Sequence, residues 1–214
     1  MVAKPPKEPT LLEKLEKAML QQKVEAYTRE SYTWLQKEAR KLAGPSLRTR
    51  IVKEEKAKGR ALRGDPSKIH LGSMIMYQYS AKHKETLPYW DAFPVIFLIS
   101  VDGDSFDGIN LHYISPKYRA IILDQLLSVM NNWKFDDTTK LKLTYAILKR
   151  ASKMKLLLPC YKKYLISHVK SKMIKIHPKD WQTILFLPLQ NFQKAPASTV
   201  WGDSVIKSTK KPKP

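Results

Sequence analysis

The chain has 214 residues, of which 43% are hydrophobic, with five Trp, ten Tyr and six Phe, so it can bury one sizeable core. Its formal charge is +20 and its pI about 9.9. No run approaches ~20 uncharged apolar residues, which argues against a membrane-spanning helix, and Lys, Glu and Gln interrupt every apolar run near the start, which argues against a secretory signal. The single cysteine, Cys160, excludes an intrachain disulfide and a cysteine zinc cluster. Beside Leu156, Leu157 and Leu158 it reads as a buried thiol in a protein assembled under reducing conditions.

The basic excess is uneven. Residues 1–68 hold 17 basic and 9 acidic residues, residues 69–135 hold 5 and 6, and residues 136–214 hold 17 and 4. Between Lys140 and Lys179 there are twelve lysines and arginines and no acid. A solvated helix normally mixes both signs, so a stretch of one sign predicts an anionic partner. Nucleic-acid phosphate, an anionic membrane surface and an acidic protein surface all meet that requirement.

The N-terminal MVAKPPKEP is polar and Pro/Lys-rich, and predicts a mobile end. Thr10 can cap a helix running towards Leu42, with Glu13 completing a capping box. Its apolar stripe runs through Leu12, Leu15, Met19, Leu20, Val24, Tyr27, Trp34 and Leu35, and Gly44-Pro45 ends it. A second helical segment, Ser46 to about Leu62, is rich in basic residues and poor in apolar ones, a solvated helix or a basic arm. The period then changes. Ser73–Tyr79 is β-rich, Leu87–Pro94 is a rigid aromatic loop, and Pro94–Val101 is an apolar run of strand length. DGDSFDG (102–108) is a turn, and Ile109–Ile114 forms another strand-like alternation.

Pro116 opens a helix with Tyr118, Ile121, Ile122, Leu126 and Met130 inward and with Arg119 and Asp124 outward. Asp136 or Asp137 caps a helix from Thr138 to about Leu157, ended by Pro159. Leu141, Tyr145, Leu148 and Ser152 share one of its faces, and Lys142, Lys149, Arg150 and Lys153 another. A further helix over Tyr161–Met173 is expected to bury Leu165, Ile166 and Val169 and to expose Lys162, Lys163, Lys170 and Lys172. A strand at Met173–His177 and a helix start at Pro178–Trp181 follow, and the end from Pro196 reads as an extended tail anchored by Trp201.

Catalytic constellations are absent from the sequence pattern. His70, His83, His112, His168 and His177 show no helical metal spacing, and no Gly-rich phosphate loop, G-x-S-x-G or H-E-x-x-H occurs. As a calcium loop DGDSFDG fails, because its fifth, sixth and twelfth positions are Phe106, Asp107 and Tyr113. Glu54-Glu55-Lys56 imitates a nuclease E-x-K element but lies in a basic helical stretch without a strand. No enzyme activity, metal or cofactor is expected.

The block Met74–Asp124, with KHKETLPYWDAFPVIFLI and FDGINLHYISPKYRAIILDQLL, and the later LFLPLQNFQKA and VWGDS, resembles the DNA end-protector proteins of T-even-like tailed phages. The resemblance covers roughly residues 70–205. It implies a virion protein at the terminus of packaged DNA that shields the end from host exonucleases.

The expected fold is α+β: a small antiparallel sheet or SH3-like partial barrel packed with C-terminal helices. The expected domains are a basic helical arm (1–68), an α+β core (69–195) and a basic tail (196–214). Lys142, Lys149, Arg150, Lys153, Lys162, Lys163, Lys170 and Lys172 are the expected contacts to the phosphate backbone of double-stranded DNA. The rival reading is a structural neck, tail or baseplate component that docks this surface on other phage subunits. Either way the expected location is the virion, and the host cytoplasm during assembly.

Overall fold

Val95–Val101 is apolar at every position but Ser100 because both faces of its strand are covered. Val95, Phe97 and Ile99 enter one hydrophobic cluster, and Ile96 and Leu98 the other, as the two-residue period of a strand requires. The computed structural model describes residue 9 and residues 11–22, 29–43, 47–62, 66–130 and 132–209. The Thr10 cap, the helix positions Val24 and Tyr27, the Gly44-Pro45 break and both chain ends (1–8 and 210–214) lie outside the described residues.

In chain order the elements are α1 (Leu11–Gln21), α2 (Arg29–Ala43), α3 (Leu47–Ala57), β1 (Ala61–Leu62), β2 (Met74–Met76), β3 (Trp90–Asp91), β4 (Val95–Asp102) and β5 (Ser105–Asn110). Then come α4 (Pro116–Met130), α5 (Asp137–Ala151), β6 (Tyr161–Leu165), β7 (Met173–Ile176), α6 (Trp181–Phe186), β8 (Phe192–Gln193) and α7 (Ala197–Thr209). The main sheet has six strands in the order β1-β7-β2-β4-β5-β6, and every pair is antiparallel. The fold is therefore α+β, with an open sheet edged by β1 and β6. β3 and β8 form a separate antiparallel pair.

DGDSFDG is a tight hairpin: β4 runs to Asp102, Gly103 takes a positive φ of 54°, and β5 begins at Ser105. Gly108 is fixed by packing, since a Cβ there would collide with Ile96 Cδ1.

α1 and α2 pack on one another, with Trp34 Nε1 donating to Gln22 Oε1 at 2.6 Å. The expected single helix is thus a helical pair. Leu15, Ala39, Leu47 and Ile51 are buried in the same cluster as Trp181 of α6 and Ile176 of β7. In α3, Leu47, Ile51 and Glu55 form the buried i, i+4, i+8 stripe.

Arg119 of α4, which helical periodicity places outside, lies inside and is 1% exposed. Its guanidinium donates to the carbonyls of Ile114 (3.0 Å), Leu185 (2.8 Å) and His112 (3.2 Å), and sits 5.7 Å from the Trp201 ring. Carbonyls at loop ends have no ladder partner, and a planar fork of five donors can satisfy several at once. Ile121, expected inside, is 56% exposed, and Leu123 takes the buried position. Residues 197–209 are the helix α7 rather than an extended tail; Val200 and Ser204 are buried, and Trp201 Nε1 donates to the His112 carbonyl at 2.8 Å. Cys160 is fully buried, and burial pushes its thiol up to about 12.

Candidate nucleic-acid interface

α5 begins at a firm cap. Asp136 Oδ1 accepts from Thr139 N at 2.9 Å and Oδ2 from Thr139 Oγ1 at 2.7 Å, and these bonds hold the carboxyl below its ordinary range. Thr144, Leu148 and Ala151 face inward and are buried. Lys142, Lys149, Arg150 and the following Lys153 are exposed, and among the described residues none of the four forms an ion pair. Lys149 Nζ lies 5.7 Å from the Tyr145 ring, a weak cation–π contact. The exposure of these four is what the helical spacing predicts.

The second expected helix is not one. Tyr161–Leu165 is the edge strand β6, residues 166–168 make a single 3₁₀ turn, and Val169 forms an isolated bridge with Tyr79. Tyr161, Tyr164, Ile166 and Val169 are aromatic or β-branched and fit a pleated surface, and β5 offers the partner, with Phe106 opposite Tyr164 and Asp107 opposite Lys163. Strand alternation sends Lys162 and Lys163 to opposite faces. Lys163 is exposed, whereas Lys162 is half-buried with Nζ 4.0 Å from the Tyr113 ring. Burial, opposed in part by Cys160 and aided by repulsion from Lys207, holds the Lys162 ammonium down at about 8. Lys170 and Lys172 are exposed between Val169 and β7, and the Lys170 amide donates to Gln78 O at 2.8 Å.

Lys170 reaches a feature that spacing alone conceals. With Arg40 of α2 and Arg48 and Lys56 of α3 it lines a groove of about 960 Å³ that has no carboxylate among the described residues lining it. Arg48 is held across it by hydrogen bonds to the carbonyls of Leu189 and Gln190, both 2.9 Å. The nearby acids are already engaged. Glu54 meets Arg50 at 3.0 Å, Glu55 meets Lys58 at 2.9 Å and Arg60 at 2.6 Å, and Asp180 meets Arg60 at 2.6 Å. Glu55 of the E-x-K look-alike is fully buried in these bridges. They leave the basic groups of α2 and α3 in excess at the surface.

Beneath β3 and β5 a second polar network is enclosed. Asp91 Oδ2 lies 2.7 Å from His112 Nδ1 and accepts from Asn110 Nδ2 at 3.1 Å, and Asp91 Oδ1 accepts from the amides of Phe93 and Asn191 at 3.0 Å each. Burial alone would raise the Asp91 carboxyl; its contacts with His112 and the two amides hold it below its ordinary value. Burial keeps His112 low, so the pair is a carboxylate beside a neutral imidazole. Among the described residues no group of three His, Cys, Asp or Glu could hold a metal, and no helix is long and apolar enough to cross a membrane.

A protein-family model described as the phage T4 terminal DNA protecting protein matches residues 51–204. The chain belongs to that family. It is the group that the 74–124 block resembles, and it gives no support to the neck, tail or baseplate alternative. The matched span contains all eight expected lysines and arginines, whereas Arg40 and Arg48 of the groove precede it. No curated protein and no solved structure matches the chain.

Proposed function

We propose that this protein binds double-stranded DNA through its phosphates, without reading base sequence, and shields the ends of packaged phage DNA from exonucleases. The observation that carries the reading is the exposed row of Lys142, Lys149 and Arg150 on α5, continued by Lys153 just beyond it, none of which forms an ion pair among the described residues. Lys163, Lys170 and Lys172 add solvent-facing charge, and the groove adds Arg40 and Lys56. Membership of a DNA-protecting phage family supports DNA as the partner and a virion or an infected host as the setting.

Phosphate neutralisation releases condensed counterions, so six such contacts give log K a salt slope of about −5. The test is a salt series of binding to duplex DNA with the wild type and with Lys149→Glu/Arg150→Glu/Lys153→Glu. Each lost contact is worth roughly tenfold near 0.1 M salt, so the triple variant is expected to bind on the order of 100-fold or more weakly, with a shallower slope. Its thermal unfolding should match the wild type, since all three side chains are exposed. Unchanged affinity would hand this surface to an acidic protein partner.

A further inference from the structure

Between β6 and the 81–90 loop lies a pocket of about 360 Å³ that the phosphate-binding surface does not account for. Its lining is unusual for a surface hollow: the rings of Tyr79, Tyr89, Trp90 and Tyr113 together with Lys82 and Lys162. Tyr79 and Trp90 are half-exposed, Tyr79 held edge-on against Tyr164 and Trp90 with Lys194 Nζ 5.9 Å from its ring, whereas Tyr89 and Tyr113 are buried in the wall.

The lysine at this pocket is poorly compensated. Lys162 Nζ has the Tyr113 ring as its close neighbour, and among the described residues no carboxylate bonds it. Asp91 also lines the pocket, but His112, Asn110, Asn191 and Phe93 occupy its oxygens. Holding a half-desolvated ammonium without a counter-charge costs stability, and an anion bound in the pocket would remove that cost.

Aromatic faces beside a cation are the elements with which proteins hold a nucleotide whose base has left the stack. Stacking is tolerant of base identity, and the cation takes the phosphate. The volume is at the low end for small-ligand sites and suits one nucleotide rather than a duplex. We propose that this pocket receives the terminal nucleotide of a DNA strand, with its base against Tyr79 and Trp90 and its phosphate against Lys162. The inference rests on the DNA-binding reading above and adds to it a reason for preferring ends. Extruding an internal base costs a few kcal/mol of unstacking and unpairing, whereas a base already unpaired costs least. A fraying end supplies such a base, and uninterrupted duplex does not.

The test compares a short blunt duplex with the same sequence closed at both ends by covalent hairpin loops. Stacking one base strengthens binding by roughly tenfold or more, so the wild type should prefer the open duplex by at least roughly tenfold. Lys162→Gln and Trp90→Ala should each bring that ratio close to one by weakening binding to the open duplex. A 2-aminopurine placed as the terminal base gives a second readout. Its emission should change on binding the wild type and not on binding Lys162→Gln. Equal affinity of the wild type for both duplexes, or a preference that survives both substitutions, overturns the pocket assignment and leaves phosphate binding standing. Failure of the wild type to bind either duplex overturns both.

Discussion

α5 and β6 are built from nearly the same letters and become different objects. Residues 140–154 (KLKLTYAILKRASKM) and 161–173 (YKKYLISHVKSKM) both alternate lysines with apolar groups, and both lack acids. The first has a capping aspartate and Leu/Ala-rich inner positions, which favour a helix. The second follows Pro159 and concentrates aromatic and β-branched residues, which pair along β5 instead. Charge pattern alone says that a segment is basic. Backbone period decides where its cations stand: on a helix they share one wet face, and on a strand alternate cations turn inward.

The comparison can be broken at its aromatic anchors first. Tyr164 is 5% exposed and stacks on Phe106 with centroids 5.4 Å apart, so Tyr164→Ala should cost about 3–5 kcal/mol of unfolding free energy. Tyr145, its half-buried counterpart on α5, should cost about 1 kcal/mol as Tyr145→Ala. Urea unfolding measures both, and equal losses would mean that β6 is not the more deeply seated element.

The lysines give the next largest contrast. Lys162 is held at about 8 against its ordinary 10.5, so between those pH values the unfolded chain carries a proton that the folded chain has lost. Stability should therefore rise as pH climbs through that window. Lys162→Met removes a burial cost of up to about 3 kcal/mol near pH 7 and should stabilise the protein, the gain fading towards pH 10.5. Lys149→Met, on the wet face, should stay within about 0.5 kcal/mol at any pH. Urea midpoints taken near pH 7 and near pH 10 decide it, and a flat profile for the wild type would contradict the inward placement of Lys162.

The smallest effect sharpens the helical side alone. Lys142→Gln removes one exposed cation of the proposed phosphate-binding face and should reduce the magnitude of the salt slope of DNA binding by about 1, with affinity weakened uniformly across sequences. A slope unchanged within error would remove Lys142 from the interface.

Much of this architecture is readable from local pattern. The unbroken apolar run of β4, the Asp-Gly turn before β5, the proline opening α4 and the capped amphipathic α5 each carry their signal within a few residues. Periodicity misplaces Arg119 because it assumes that a charge faces water; what pulls the side chain inward is a set of loop carbonyls as distant in sequence as Leu185. α7 escapes local pattern because Ser198, Thr199 and Gly202 dilute helix propensity, and its packing against His112 and residues 155–160 supplies what propensity lacks. The groove and the pocket are illegible in principle. Arg40, Lys56 and Lys170, or Tyr79, Tyr113 and Lys162, meet only because the sheet order brings remote segments together.

Cys160 bears on the redox chemistry open to the folded chain. Thiolate is the form that attacks disulfides and takes up oxidants, and a thiol pushed up to about 12 and fully enclosed offers almost none of it. While the fold holds, that thiol is closed to oxidants and to thiol exchange. It cannot reach a neighbour's, so folded chains cannot be joined through it by a disulfide.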